Sequence, residues 1–326
     1  MRAEYLYLAI IFFSFIALIL VISMLLIVLS KKGLQMRRRS ISNQLEPWIM
    51  DIILEDTGAS THTFLLPDDI SLLLEKKLAR KVLLRELMKI KKSLSGVSGD
   101  NIEKLYNQLN LHEISLQRIT SKFWHVKAKG IQELATMNQH TNHGMIFNLT
   151  NDKDHMVRME AQTAMVRLQG YHGLQFFNTL TYPLTEWHQV NILYLLANQP
   201  ITENTGVVNW LNSPNASVVQ FSLKLISEQH AIEFYDDVVK CLEHPDENVR
   251  KEAILCLGQI PSSAAATELH AHFKNEDNKN LRICIINEFI KIGAGEDISF
   301  LNDLQHADDV DIRLAANRTV LHLQKN

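Results

Sequence analysis

Cysteine is scarce in this chain. Cys241, Cys256 and Cys284 are its only three, an odd number set in apolar helical stretches; that excludes a disulfide framework and suits reduced core thiols. Proline (7 of 326 residues) and glycine (12) are also sparse, which excludes collagen-like and low-complexity classes and leaves few interruptions to helix. The motifs of phosphate and acyl chemistry are missing: no G-x-x-x-x-G-K, no G-x-G-x-x-G opening a helix, no nucleophile elbow. The fourteen histidines are scattered. His270 and His272, two residues apart, point to different sides of a helix, and His140 and His143 have no carboxylate or cysteine close by. No catalytic residue, metal ligand or cofactor is therefore assigned.

What the chain does have is a period. Val126, Val157, Trp187, Val218, Val249, Leu281 and Ile312 recur at 30 to 32 residues, the spacing of a solenoid whose units must stack to bury their apolar faces. Eight positions on from each stand Leu134, Met165, Leu195, Ile226, Leu257, Phe289 and Val320, all apolar. Four positions on, five of the seven are small: Gly130, Ala161, Ser222, Ala253 and Ala316, with Asn191 and Ile285 the others. Offsets 0, 4 and 8 share one face of a helix, so each copy presents a core stripe with room for close approach. Three positions ahead stand Asp154, Asn215, Asp246, Asn278 and Asp309, with Phe123 and Leu184 the exceptions; Asp and Asn there suit an N-cap. Each unit thus reads as a loop, a capped second helix and a shorter first helix such as Glu268–Lys274.

The phrase His244-Pro245-Asp246-Glu247-Asn248-Val249-Arg250-Lys251-Glu252-Ala253-Ile254-Leu255-Cys256-Leu257-Gly258 resembles a HEAT repeat of the short bacterial, PBS-lyase-HEAT-like type. Asp154–Ala161 and Asp309–Ala316 are similar to it, and the resemblance covers residues 110–326. It implies an all-α fold, a HEAT-like α-α solenoid. Lys127, Arg158, Arg250, Arg282 and Arg313 follow the register residue in five copies. The resemblance implies that these cations bond to nearby loops within the molecule; a ladder for an anionic ligand is the other reading. Some HEAT-like proteins are metal-dependent hydroxylases with repeated His-Glu pairs, but only His112-Glu113 has that order here, so that activity does not carry over.

Residues 5–29 are almost wholly apolar, broken only by Ser14 and Ser23. At about 1.5 Å per residue they outspan a bilayer core of about 30 Å. Lys31, Lys32, Arg37, Arg38 and Arg39 follow the run, against Arg2 and Glu4 before it. That asymmetry predicts a single N-terminal transmembrane helix with the rest of the chain cytoplasmic; a cleaved signal peptide would carry its cations ahead of a shorter run. By resemblance to membrane-anchored bacterial HEAT proteins, carried by Trp124–Leu134, the membrane is a bacterial inner membrane.

The sequence divides into an anchor (1–30), a juxtamembrane linker with a short helix around Pro47–Leu54 (31–67), a basic helical cap (68–110) and the repeats (111–326). Gly58–Pro67 reads as loop. A long helix is expected over residues 68–94, stopped by Ser95–Gly99 and followed by a helix over Asn101–Leu109. On the long helix Leu83, Leu84, Leu87, Ile90 and Leu94 form an apolar face, and Lys77, Lys81, Arg85, Lys89 and Lys92 line the other side. That stripe is open to solvent, to anionic lipid or to an acidic partner. Residues 1–130 hold 19 lysines and arginines against 12 acids, and residues 131–326 hold 14 against 24. An acidic solenoid repels phosphate, which argues against nucleic acid.

The exposed edge of each second helix is expected at offsets 3, 6 and 10, polar in most copies. Two copies break the pattern with Val190, Leu193 and Ala197, and with Phe221. Apolar side chains on a polar ridge are candidates for a docking site for another protein. The expected function is a membrane-anchored interaction scaffold. The alternatives are an accessory subunit of a membrane enzyme, such as an envelope glycosyltransferase, and an enzyme or chaperone of the bilin-lyase type.

Overall fold

The computed structural model describes residues 2–55, 63–94, 96–197, 206–260, 262, 264–294 and 297–324. Among them there is no strand; the chain is all-α, in two compact units. The first takes residues 1–121 with 136–138, and the second takes residues 122–135 with 139–326.

The first unit is built from α1 (Arg2–Leu54), α2 (Asp68–Leu74), α3 (Lys77–Lys91), α4 (Gly96–Gln108) and α5 (His112–Ile119). α1 is continuous, where the sequence suggested an anchor, a linker and a separate short helix. Between Ser30 and Leu54 the apolar residues Ile41, Leu45, Trp48, Ile49 and Ile52 keep helical spacing and pack into the unit's core. Pro47 lies on the exposed side with Asn43, so the carbonyl it cannot bond is left to water. α1 is also the one described helix long and apolar enough to cross a membrane.

The helix expected over residues 68–94 is two. Lys76 adopts an extended conformation (φ −78°, ψ 123°) between α2 and α3. On one straight helix Ile70 and Ala79 would point to opposite sides; the break turns both, with Leu74, Val82 and Leu83, into one core. Leu83, Leu84 and Leu87 are fully buried, as their spacing predicts, with Ile90 and Leu94 packed at the edge. α4 starts at Gly96, inside the expected stop. Of the loop expected over 58–67, residues 58–62 lie outside the described residues, as does Ser95. The loop end is fastened by Gln108, which exchanges two 2.9 Å hydrogen bonds with the Phe64 backbone. Leu111 and Tyr106, whose hydroxyl meets Ser115 at 3.2 Å, tie α5 into this core.

The second unit repeats a simple scheme. Its second helices are α6 (Trp124–Thr136), α8 (His155–Gln169), α9 (Glu186–Leu196), α11 (Ala216–Gln229), α13 (Glu247–Leu257), α15 (Lys279–Ile292) and α17 (Val310–Leu323). Short first helices lie between them: α7 (His143–Phe147), α10 (Val207–Leu211), α12 (Tyr235–Lys240), α14 (Ala265–Asn275) and α16 (Ile298–Leu304). A 3-10 run over Gly170–Thr179 takes that place ahead of α9. It comes so close to α8 that a Cβ on Gly173 would stand 2.3 Å from the Met165 carbonyl oxygen. Asp154, Asn215, Asp246, Asn278 and Asp309 all cap their helices, four of them accepting from two backbone N–H groups each. The register residues Val157, Val218, Val249, Leu281 and Ile312 are buried, together with their partners four and eight positions on.

The cations after the register residue bond inward. Arg158, Arg250 and Arg313 each donate to the carbonyls five and six residues back: Lys153 and Asp152, Pro245 and His244, Asp308 and Ala307. Arg250 also grips the Glu276 carboxylate of the next repeat, and Lys127 reaches Asp152 at 2.6 Å. Arg282 instead stacks over Phe273, 4.3 Å from the ring centre. These are the intramolecular rungs that the resemblance implied, with loop carbonyls as the main acceptors in place of Asp or Asn side chains. Lys224 adds a rung across three neighbouring second helices, bonding Gln189 at 3.0 Å and lying 3.5 Å from Glu252.

Because Asp246 supplies both the cap and the turn that Arg250 braces, Asp246→Ala should lower the stability of the second unit by about 1 kcal/mol, read from denaturant unfolding followed by circular dichroism.

Candidate functional site

The irregular copies carry the site, and a shift of register explains their irregularity. In α9 the buried residues are His188, Gln189, Ile192 and Leu196. The register residue is therefore His188, not Trp187, and the cap three positions ahead is Thr185, whose hydroxyl accepts from the His188 N–H. The exception at Leu184 disappears. With the helix turned by one residue, Trp187, Val190 and Tyr194 fall on the outward ridge, at 66%, 60% and 79% exposure.

That ridge lies at offsets −1, 2 and 6 from the register residue, rotated from the expected 3, 6 and 10. The repeats on its far side carry Gln220 and Lys224, then Asn248 and Lys251. On the near side α8, which packs against α9, adds Met156 and the partly exposed Met159. The outcome is an apolar, aromatic strip across two adjacent helices.

Of the four residues expected at a docking site, Val190 and Ala197 are exposed and Leu193 is half-buried at the strip's edge. Phe221 is not at the surface: it is fully buried. The 3-10 run brings Phe177 against it, ring centres 4.9 Å apart, and Phe177 in turn meets Trp210 at 5.3 Å. Trp210 is pinned by a 2.9 Å hydrogen bond from its indole N–H to Asn178. An aromatic cluster thus fills the space that a regular first helix occupies elsewhere, and Phe221 completes it. Trp187 and Tyr194, the largest exposed side chains on the strip, are absent from the expected set. The Thr185 cap is the signal in the sequence that finds them.

Directly beneath the strip lies His188, 1% exposed, with neither ring nitrogen hydrogen-bonded. Burial, helped by the charge of His155, pushes its pKa down to about 4. Burial raises the Cys241 and Cys284 thiols to about 11 and raises Cys256 as well, so all three are poor nucleophiles. No group of three or more His, Cys, Asp or Glu residues that could hold a metal ion occurs among the described residues.

The basic stripe lies on the outer face of α3, in the first unit. Lys77, Lys81, Lys89 and Lys92 are exposed and Arg85 half-buried. Glu86 takes both Arg85 and Lys89 at 2.8 Å; Lys77, Lys81 and Lys92 have no ion pair among the described residues. Lys77 and Lys81 share a groove with Arg80, Glu113, Ile114 and Gln117.

A histidine whose folded pKa lies below its unfolded value favours the native state only while neutral. The stability contributed by His188 should therefore be complete above about pH 6.5, its unfolded pKa, and fall as the pH drops toward about 4. His188→Leu should flatten that part of the melting temperature against pH; an unchanged profile would remove His188 from the core.

The model for HEAT repeats matches this chain twice, at residues 206–286 and 235–320. Among curated proteins no match was found. Among solved structures the chain is similar to the YibA protein of Escherichia coli at 15% identity, over 81% of this chain and 100% of that one, with a TM-score of 0.43. It is similar to human deoxyhypusine hydroxylase at 15% identity, over 77% and 100%, TM-score 0.36. A third likeness is to the complex of CpcE and CpcF of phycocyanin lyase from Nostoc sp., at 14% identity, over 83% and 92%, TM-score 0.27. Likenesses this distant leave the activities with those proteins. The match over the capped helices is firmer ground: from residue 206 to residue 320 the chain is built of HEAT repeats.

Proposed function

We propose that this chain is a membrane-anchored scaffold, spanning the bilayer with residues 5–29 and binding another protein through the strip on α8 and α9. The observation that carries this reading is the exposure of Trp187, Val190 and Tyr194 side by side on one helix. Buried aromatics each remove about 150–250 Å² from water, and Trp and Tyr dominate the energetics of interfaces. Leu193 and Ala197 border the contact, with Met156 and Met159 as the adaptable flank. HEAT repeats supply a rigid ridge for such a contact, because each helix is held by its neighbours.

The cations after the apolar run favour a cytoplasmic second unit, and the resemblance of Trp124–Leu134 to membrane-anchored bacterial HEAT proteins favours a bacterial inner membrane. An accessory subunit of a membrane enzyme is one form of the same reading, with that enzyme as the docked protein. Two measurements test it. Protease added to intact spheroplasts should spare residues 40–326 and degrade them after lysis; cleavage in intact spheroplasts reverses the orientation. A photo-crosslinking residue at Tyr194 should capture one protein in native cells, and Trp187→Ser should abolish the capture while changing stability by no more than about 0.5 kcal/mol. Phe221→Ala, by contrast, should cost about 3–5 kcal/mol in the same melt.

A further inference from the structure

In the first unit, most of the unpaired cations lie toward one end, with Lys92, just past α3, the exception. Between Leu29 and Glu46 the sequence has no acid and five cations, Lys31, Lys32, Arg37, Arg38 and Arg39. All five are exposed on α1, and none has an ion pair among the described residues. Lys31 and Arg38 are spaced by seven from each other and from Leu45 and Ile52, so they lie on the helix face that meets the core. Lys32 and Arg39, also seven apart, lie to one side, and Arg37 to the other. The cations ring the helix.

The direction of the α3–α4 hairpin extends this polarity. Buried Asn101 donates to the Ile52 and Glu55 carbonyls at 2.9 and 2.8 Å, and Ser98 donates to that of Ile53. The start of α4 therefore meets the C-terminal end of α1. Arg80 near the start of α3 donates to the Leu109 carbonyl at 2.8 Å, just past the end of α4, so α3 and α4 run antiparallel. Both helices pack on α1. The end bearing Lys77 and Lys81, with Glu75 and Glu113 beside them, thus lies toward the apolar run, while Asp51, Glu55 and Asp100 lie at the opposite end with Lys92.

We infer that this basic collar binds the phosphate headgroups of anionic lipid, with Lys31, Lys32, Arg37, Arg38 and Arg39 in contact and Lys77 and Lys81 as an outer tier. The inference rests on residues 5–29 spanning the bilayer. Along the uninterrupted helix, Lys31 and Lys32 stand about 3–5 Å past Leu29, within a headgroup layer of about 5–8 Å. Arg37 to Arg39 stand about 12–15 Å past it, and their side chains reach back to that layer. Each cation held near an anionic surface strengthens the association about fivefold, over a Debye length of about 8 Å. A continuous helix fixes these heights, as a loose linker would not.

The full chain, reconstituted in phosphatidylcholine bilayers, should restrict spin-labelled phosphatidylglycerol at least about fivefold more than spin-labelled phosphatidylcholine. Changing Lys31, Lys32, Arg37, Arg38 and Arg39 together to Gln should bring that preference close to parity. Arg37→Lys, Arg38→Lys and Arg39→Lys together should keep it, and about 1 M salt should suppress it. Flotation of the wild-type and Gln proteins with pure phosphatidylcholine vesicles, resistant to alkaline carbonate, checks the span separately. Loss of both proteins from the vesicles overturns the span and this inference with it. Retention without a lipid preference, or a preference that the Gln variant keeps, overturns this inference alone.

Discussion

In five of the seven copies, the side chain three residues ahead of the register position is the contact on which the second unit depends. A carboxylate or amide oxygen there accepts from the first free N–H groups of the second helix, and so decides which residue begins the helix. Once that residue is set, the stripe at 0, 4 and 8 must face inward. In three copies the arginine one position on, Arg158, Arg250 or Arg313, swings back over the loop and takes the two carbonyls that the turn leaves open. Cap, stripe and brace are one device, and its repetition makes neighbouring helices stack alike.

The same device explains the candidate site. Where Thr185 replaces Asp or Asn, the helix begins one residue later than the pattern of its neighbours suggests. His188 then occupies a core position it fills poorly, with two unsatisfied nitrogens, and the ridge receives tryptophan, valine and tyrosine. Ahead of that helix a 3-10 run of aromatic residues stands in for a regular first helix. The irregularity of the fold and the apolar surface are thus two results of one local change.

Much of the second unit was legible in the sequence because period and capping chemistry are written in single residues. Asp154, Asn215, Asp246, Asn278 and Asp309 do what their positions predict, and the buried stripe follows from them. Trp187 misled because a large apolar residue at the right spacing outweighs a threonine two residues earlier, although the threonine decides the register. Phe221 misled for a different reason. Its burial is set by Phe177 and Trp210, distant in sequence, and no local periodicity carries that information. In the first unit, helix along residues 31–54 was masked by Pro47. The proline is tolerated because it faces solvent, a property of the tertiary packing rather than of the residue.

The continuity of α1 has a mechanical consequence. One helix forms the apolar run, carries the exposed basic stretch and supplies Leu45, Trp48, Ile49 and Ile52 to the core of the first unit. Nothing along it can act as a swivel, so a turn imposed on residues 5–29 reaches the first unit undiminished. Adding one residue to the exposed stretch would rotate that unit by about 100° around the helix axis and lift it by about 1.5 Å. The number of residues between the apolar run and Ile41 therefore acts as a dial, setting which face of the unit looks along the axis of approach and at what height.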